Sequence, residues 1–245
     1  MPLSNNHKPK KLSKQGVIRP TITTTSSSLP SSSMSPATTT SSPGSAHPSS
    51  LGSGYLPNWA TDSLPLPKLI VLDLDYTLWP FYSDIHISPP LRSVPNNPLA
   101  LSDRNGEAFS LYPDAPHILR LLATAPLNAK IKVAVASKSP VGDLCREVLK
   151  TLRLPDGEGK GPKRPIDVFT GGGGMEIYEG TKLRHFEVIA KRTGVPFDQM
   201  LFFDDERPNF EVESLGVTMK LVRNGLSWDE LERGVKLWRE RRGHV

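Results

Sequence analysis

A chain of 245 residues with 37% hydrophobic content has room for one or two domains, and its formal net charge of +5 at first suggests a nucleic-acid partner. The placement of that charge removes the suggestion: of the 30 basic residues Lys8, Lys10, Lys11, Lys14 and Arg19 are the only charges before Asp62, so the remainder carries 25 basic and 25 acidic residues. A single cysteine, Cys145, excludes an intramolecular disulfide framework, and no run approaches the roughly 18 apolar residues that span a bilayer.

Residues 1–63 read as a tail. Between Thr21 and Ser50 the chain is nearly all Ser, Thr, Pro, Ala and Gly, with too few large apolar side chains to offset the entropy of ordering, so disorder is expected. Its basic start is read as solvated, with a nuclear-import patch as the alternative. The lack of an apolar signal core, together with one cysteine, points to the cytoplasm and leaves the nucleus open.

Residues 64–245 are enough for one domain with a full core. Lys68 to Leu74 reads as a buried parallel strand that ends in Asp73 and Asp75. Trp79 to Tyr112, rich in Pro, Asn and Gly, predicts a small hairpin excursion, with Arg104-Asn105-Gly106 turning between Leu101 and Phe109. A helix follows from Pro113 to Leu122, a strand from Ile131 to Ala136, and a helix from Val141 to Leu152. Pro155 to Pro165 is an exposed loop, Val168 and Phe169 a short strand, and Gly171 to Gly174 a flexible loop near the site. That glycine run lacks the Gly-Lys-Ser/Thr ending of a phosphate-binding loop. A helix from Thr181 to Thr193 has Thr181 as N-cap and Gly194 as its stop. Met200 to Phe203 is a strand ending in Asp204 and Asp205, Glu211 to Leu215 a short helix, and Val217 to Val222 a strand. Ser227 to Arg242 closes the chain as a helix, with Ser227 and Glu230 in capping-box positions. Alternation of strands and helices predicts an α/β fold with a doubly wound, mainly parallel sheet.

Three of the predicted strands end in polar groups: Asp73 and Asp75, then Ser137, then Asp204 and Asp205. A parallel sheet brings all carboxyl ends to one edge, where open α/β sheets bind ligands. Any one of these groups could cap a turn or helix, but three such strand ends together describe a site. Carboxylates gathered at one edge repel unless a cation joins them, and hard oxygen donors with little His or Cys nearby favour Mg²⁺. Such an ion implies a phosphate, whose approach to an aspartate it would ease while a lysine and a hydroxyl hold the other oxygens.

DLDYT from Asp73, the strand-end Ser137, Lys182 in TKLRHF and FFDDE from Phe202 resemble the four motifs of the haloacid dehalogenase superfamily of phosphatases. DLDYTLWPFY, EIYEGTKLRHF, TGVPF and FFDDERPN are most similar to its eukaryotic magnesium-dependent group, over about Leu66 to Trp238. The resemblance implies a Rossmann-like fold and hydrolysis of phosphomonoesters through an aspartyl phosphate. It makes Asp73 the nucleophile and a Mg²⁺ ligand, and Asp75 the general acid and base, lending its backbone carbonyl to the metal. Ser137 and Lys182 would hold the phosphoryl oxygens, Asp204 would complete the metal site, and Asp205 would orient Lys182 or a metal-bound water. Lys138 stands where relatives often carry arginine and is expected to touch substrate, as a point charge without arginine's planar fork. Neither gap between motifs has room for a cap domain, so an open, shallow site is expected. It would accept a phosphorylated protein or a small phosphorylated metabolite, the resemblance implying phosphotyrosine and phosphorylated sugars or sugar amines without choosing between them, with no nucleic-acid or membrane partner and the chain acting as a monomer. The alternatives are a non-catalytic phosphate-binding module and a phosphoserine phosphatase for disordered protein tails. Cys145 reads as a small core residue, His185 as a packing or hydrogen-bonding group, and Trp79, Phe81 and Tyr82 as either a substrate rim or a pin for the hairpin.

Overall fold

Leu69, Ile70, Val71 and Leu72 are each fully buried, which is why this run lies at the centre of the sheet rather than at an edge. Burial contributes about 1.5–3 kcal/mol for each such side chain. The computed structural model describes residues 56–155 and 161–244. In chain order the elements are α1 (Asn58–Thr61), β1 (Leu69–Leu72), α2 (Ser83–His86), β2 (Arg92–Val94), β3 (Asn97–Ser102), β4 (Ala108–Ser110), α3 (Ala115–Leu122) and β5 (Lys132–Ser137). There follow α4 (Gly142–Thr151), α5 (Pro165–Thr170), β6 (Gly174–Ile177), α6 (Lys182–Thr193), β7 (Met200–Asp204), a 3-10 helix (Arg207–Leu215), β8 (Thr218–Leu221) and α7 (Trp228–Glu240).

The main sheet has the order β6-β5-β1-β7-β8, with every neighbouring pair parallel. Side chains alternate across it. Leu69, Val71, Ala134 and Phe202 meet Phe186 and Ile189 of α6 and Val212 of the 3-10 helix. Ile70, Leu72, Val135 and Phe203 meet Ile118 of α3, Val148 of α4, Phe169 of α5 and Trp238 of α7. Helices therefore cover both faces, and the carboxyl ends of β1, β5 and β7 lie side by side.

The expected hairpin excursion is a three-stranded antiparallel sheet, β2-β3-β4. Its turn is held by Asp103, whose Oδ1 accepts from the amides of Asn105 (2.8 Å) and Glu107 (3.1 Å), and Gly106 takes φ 80°. β2 gave no sequence signal because its three residues are largely exposed and lack an apolar alternation.

Val168 and Phe169, predicted as a strand, lie in α5. Pro165 at the first helical position and the Arg164–Asp167 ion pair (2.7 Å) fix a helix start that two apolar residues cannot reveal. The edge strand β6 instead begins at Gly174. The glycine run before it is not beside the site but packs on the amino-end half of β5, where the Gly173 amide donates to Val133 O (2.7 Å). A Cβ on Gly172 would lie 2.6 Å from Val133 O, and one on Gly173 2.6 Å from Ala134 Cβ. Close backbone approach, not mobility, explains these glycines.

Of the tail expected over residues 1–63, positions 1–55 lie outside the described residues, as do 156–160 of the expected loop. Residues 56–63 pack on the domain: Trp59 is buried, and Arg239 of α7 donates to Trp59 O (2.9 Å), Pro65 O (2.9 Å) and both carboxylate oxygens of Asp62 (2.7 and 3.0 Å). Arg239→Met is expected to lower the unfolding free energy by about 2–3 kcal/mol, since buried carbonyls lose their donors; urea denaturation measures it. Among the described residues no helix is long and apolar enough to cross a membrane.

Candidate active site

Directly after β1 the chain turns. Leu74 O accepts from the amides of Thr77, Leu78 and Trp79, and Tyr76 sits at φ 54°, a left-handed conformation that costs a non-glycine residue energy. This turn sends alternate residues to different partners. Asp73 Oδ1 accepts from Lys182 Nζ at 2.6 Å, Asp75 accepts from Trp79 Nε1 (2.7 Å) and from the Ser83 amide and hydroxyl (both 3.2 Å), and Thr77 Oγ1 donates to Asp205 Oδ1 (3.3 Å).

Trp79 and Phe81 are buried and stacked at 5.3 Å, with Phe81 edge-on to Phe109 of β4 at 5.0 Å. These two rings pin the small sheet, whereas Tyr82 is 42% exposed and stands at the cleft.

At the end of β5, Ser137 is buried, and its Oγ accepts from the Ser139 amide (3.2 Å). Ser139, which gave no signal in the sequence, faces the cleft and joins Ser83, their hydroxyl oxygens 2.9 Å apart. With the Ser83 proton directed at Asp75, Ser139 is the donor. Cys145 Sγ lies 3.3 Å from Ser83 Oγ and 3.4 Å from Ser139 Oγ, so its buried thiol belongs to a polar cluster behind the cleft and burial pushes its pKa up.

Lys182 is placed by the start of α6. Thr181 caps the helix by accepting from the Arg184 amide (3.3 Å), and Glu211 Oε1 accepts from the Lys182 amide (2.9 Å). His185 stacks on Tyr178 at 4.3 Å and sits 2.8 Å from Thr181 O and 3.0 Å from Tyr178 O, fixing the entry to the helix as a packing group. The Lys182 side chain is 1% exposed; besides Asp73 it reaches Ala136 O (2.6 Å) and Asp204 Oδ2 (3.0 Å). Burial opposes its charge, but Asp73 and Asp204 outweigh burial and hold its pKa above the ordinary value.

The Asp204–Asp205 pair is arranged otherwise than the resemblance implies. Asp204 is fully buried, with Oδ1 accepting from the Glu206 amide (2.8 Å) and Asn209 Nδ2 (2.8 Å) and Oδ2 from Asn209 (2.9 Å) and Lys182. It orients Lys182 from behind. Asp205 faces the cleft, and burial, followed by the Asp204 charge, pushes its pKa up to about 6. Asn209 Oδ1 in turn accepts from Lys138 Nζ (2.6 Å), so that lysine is tethered at the cleft wall.

Asp73, Asp75, Ser137, Lys138, Lys182 and Asp205 thus line one cavity of about 200 Å³, and Asp204 lies behind it. Burial raises the pKa of Asp73 against the pull of Lys182, and burial likewise raises that of Asp75. Asp73 and Asp204 share a single buried ammonium and Asp205 stands beside them without a cation of its own among the described residues, a surplus of negative charge that fits a divalent cation. Among the described residues no three His, Cys, Asp or Glu side chains form a metal cage on their own. That donor set suits Mg²⁺, which takes one or two carboxylates and keeps several waters.

Residues 65–241 match the acid phosphatase family. The chain is 37% identical over 172 residues to magnesium-dependent phosphatase 1 of Homo sapiens, covering 70% of this chain and 86% of that protein. It is 36% identical over 168 residues to a HAD-like hydrolase superfamily protein of Schizosaccharomyces pombe, covering 67% and 92%. The chain therefore belongs to the acid phosphatase family, within the haloacid dehalogenase superfamily and related to its eukaryotic magnesium-dependent group.

Proposed function

We propose that the chain is a Mg²⁺-dependent phosphomonoesterase that works through an aspartyl phosphate on Asp73. The observation that carries this is the convergence of Asp73, Asp75, Ser137, Lys182 and Asp205 on one cavity, with Lys182 2.6 Å from Asp73. Lys182 holds one oxygen of Asp73, and the other attacks phosphorus. As the Asp73–phosphorus bond forms, the bond to the leaving oxygen breaks, and that oxygen takes the proton of Asp75. Burial raises the pKa of Asp75, which favours the protonated starting state a general acid needs. Water then attacks the phosphorus, gives its proton to Asp75 and frees the Asp73 carboxylate with release of inorganic phosphate. Ser137 and Lys182 hold phosphoryl oxygens, with Lys138 at the rim.

Asp73, the backbone carbonyl of Asp75 and Asp205 would hold Mg²⁺; this exchanges the roles that the motif alone implies for Asp204 and Asp205. The ion, when bound, supplies charge to offset that of the phosphoryl group. The substrates supported best are phosphotyrosine in proteins and phosphorylated sugars, because the cavity opens beside the exposed ring of Tyr82.

The test is hydrolysis of a generic aryl phosphate during Mg²⁺ titration. Turnover should vanish on chelation and return with Mg²⁺. Asp205→Asn should raise the Mg²⁺ concentration for half-maximal rate by roughly tenfold or more, as loss of a metal ligand does. Asp204→Asn should instead lower the thermal midpoint, because Asn209 and Lys182 lose a shared acceptor. The opposite pattern would return the metal to Asp204, and no turnover under any condition would favour a non-catalytic phosphate-binding module.

A further inference from the structure

Tyr82 and Asp205 line both the cavity at Asp73 and a second one of about 540 Å³, whose walls include Tyr76, Arg207, Leu221 and Arg223. The reaction steps above use neither guanidinium. Arg207 follows β7 and Arg223 follows β8, so both stand on the sheet edge that carries Asp73. Both are exposed, and among the described residues neither is salt-bridged to a carboxylate. Tyr76 and Tyr82 meet edge to face, 4.7 Å between centroids, and form an aromatic wall beside them. The rim of the first cavity carries Asp84 and Glu206. The cations of the first cavity, Lys182 and Lys138, are already held by Asp73, Asp204 and Asn209, whereas Arg207 and Arg223 face the second cavity with Asp205 as the one carboxylate in its lining.

We propose that the second cavity is a leaving-group subsite, in which Arg207 and Arg223 bind a second anionic group, carboxylate or phosphate, on the substrate that presents its phosphomonoester to Asp73. The proposal rests on the phosphomonoesterase reading and deepens it. A guanidinium fork offers two parallel N–H donors to a pair of oxygens on such an anion, and the two tyrosine rings accept the apolar part between the two charges. The anion has two sources with the same chemistry: acidic residues flanking a phosphotyrosine, or a second phosphate on a small molecule.

The test begins with aryl phosphate and Mg²⁺, which reads the basic reaction. kcat/KM is then compared within two pairs: a phosphotyrosine peptide with flanking Glu against the same peptide with Gln, and a sugar bisphosphate against its monophosphate. At least one pair should favour the added anion by roughly tenfold, chiefly in KM, and the pair that does so names the source. The preference should shrink as ionic strength rises, and should disappear in the Arg207→Ala/Arg223→Ala double variant. Equal kcat/KM in both pairs for an enzyme that hydrolyses aryl phosphate would overturn the subsite alone, as would a preference that survives the double variant. Absence of aryl phosphate turnover would overturn the phosphatase reading and the subsite with it.

Discussion

Asp73→Asn is expected to lower kcat by at least about a thousandfold, because an amide neither attacks phosphorus nor forms an acyl phosphate. The substitution keeps the shape of the side chain and removes a buried charge that already competes with Asp204 for Lys182. The thermal midpoint of the metal-free protein should therefore hold or rise while activity disappears. An acid-quenched single turnover should yield a phosphorylated wild-type chain and none in the variant. Turnover that survives in a folded Asp73→Asn protein would move the nucleophile elsewhere.

Lys182→Met should damage both stability and activity. With the ammonium gone, Asp73 and Asp204 face each other in the interior with no cation between them, and Ala136 O loses a donor. Breaking a buried pair by removing one partner costs about 3–5 kcal/mol, so the urea midpoint should fall sharply. Adding Asp204→Asn to the same chain should restore part of that loss by removing one of the stranded charges. Activity should not return, because a phosphoryl oxygen still lacks its donor. A Lys182→Met protein as stable as the wild type would show that the two carboxylates do not depend on it.

The sheet and its reactive edge are legible in the sequence because both are written in short, strong patterns. An apolar run that ends in a carboxylate or hydroxyl occurs at Asp73, Ser137 and Asp204, and the parallel sheet brings these ends together. Thr181 and Gly194 mark the two ends of α6 as their chemistry requires. Other features escaped. α5 and β6 are short, and their apolar residues do not distinguish a period of two from one of 3.6. The separate tasks of Asp204 and Asp205 depend on which face each residue takes. Asp204 is the last residue of β7 and pairs with Leu221 of β8, so it shares the face of Phe202, whose ring meets Phe186 of α6 at 5.0 Å, and α6 is the element that carries Lys182. Counting two residues on from Phe202 gives that direction, but only once the face covered by α6 is known. The anchor of Asp75 was hidden for a different reason, since Ser83 and Ser139 are ordinary serines until the small sheet and the β5 loop are brought together.

In an unbroken strand, residues 73, 75 and 77 would all point to one side. The left-handed turn at Tyr76 lets Asp73 reach Lys182, Asp75 reach Ser83, and Thr77 reach Asp205 instead. Chain length across this segment is consequently under tighter constraint than the identity of residue 76. Many exchanges at Tyr76 would alter its ring and leave the three directions intact, whereas inserting or deleting one residue between Asp73 and Thr77 would re-aim at least one of them and separate the nucleophile from its acid.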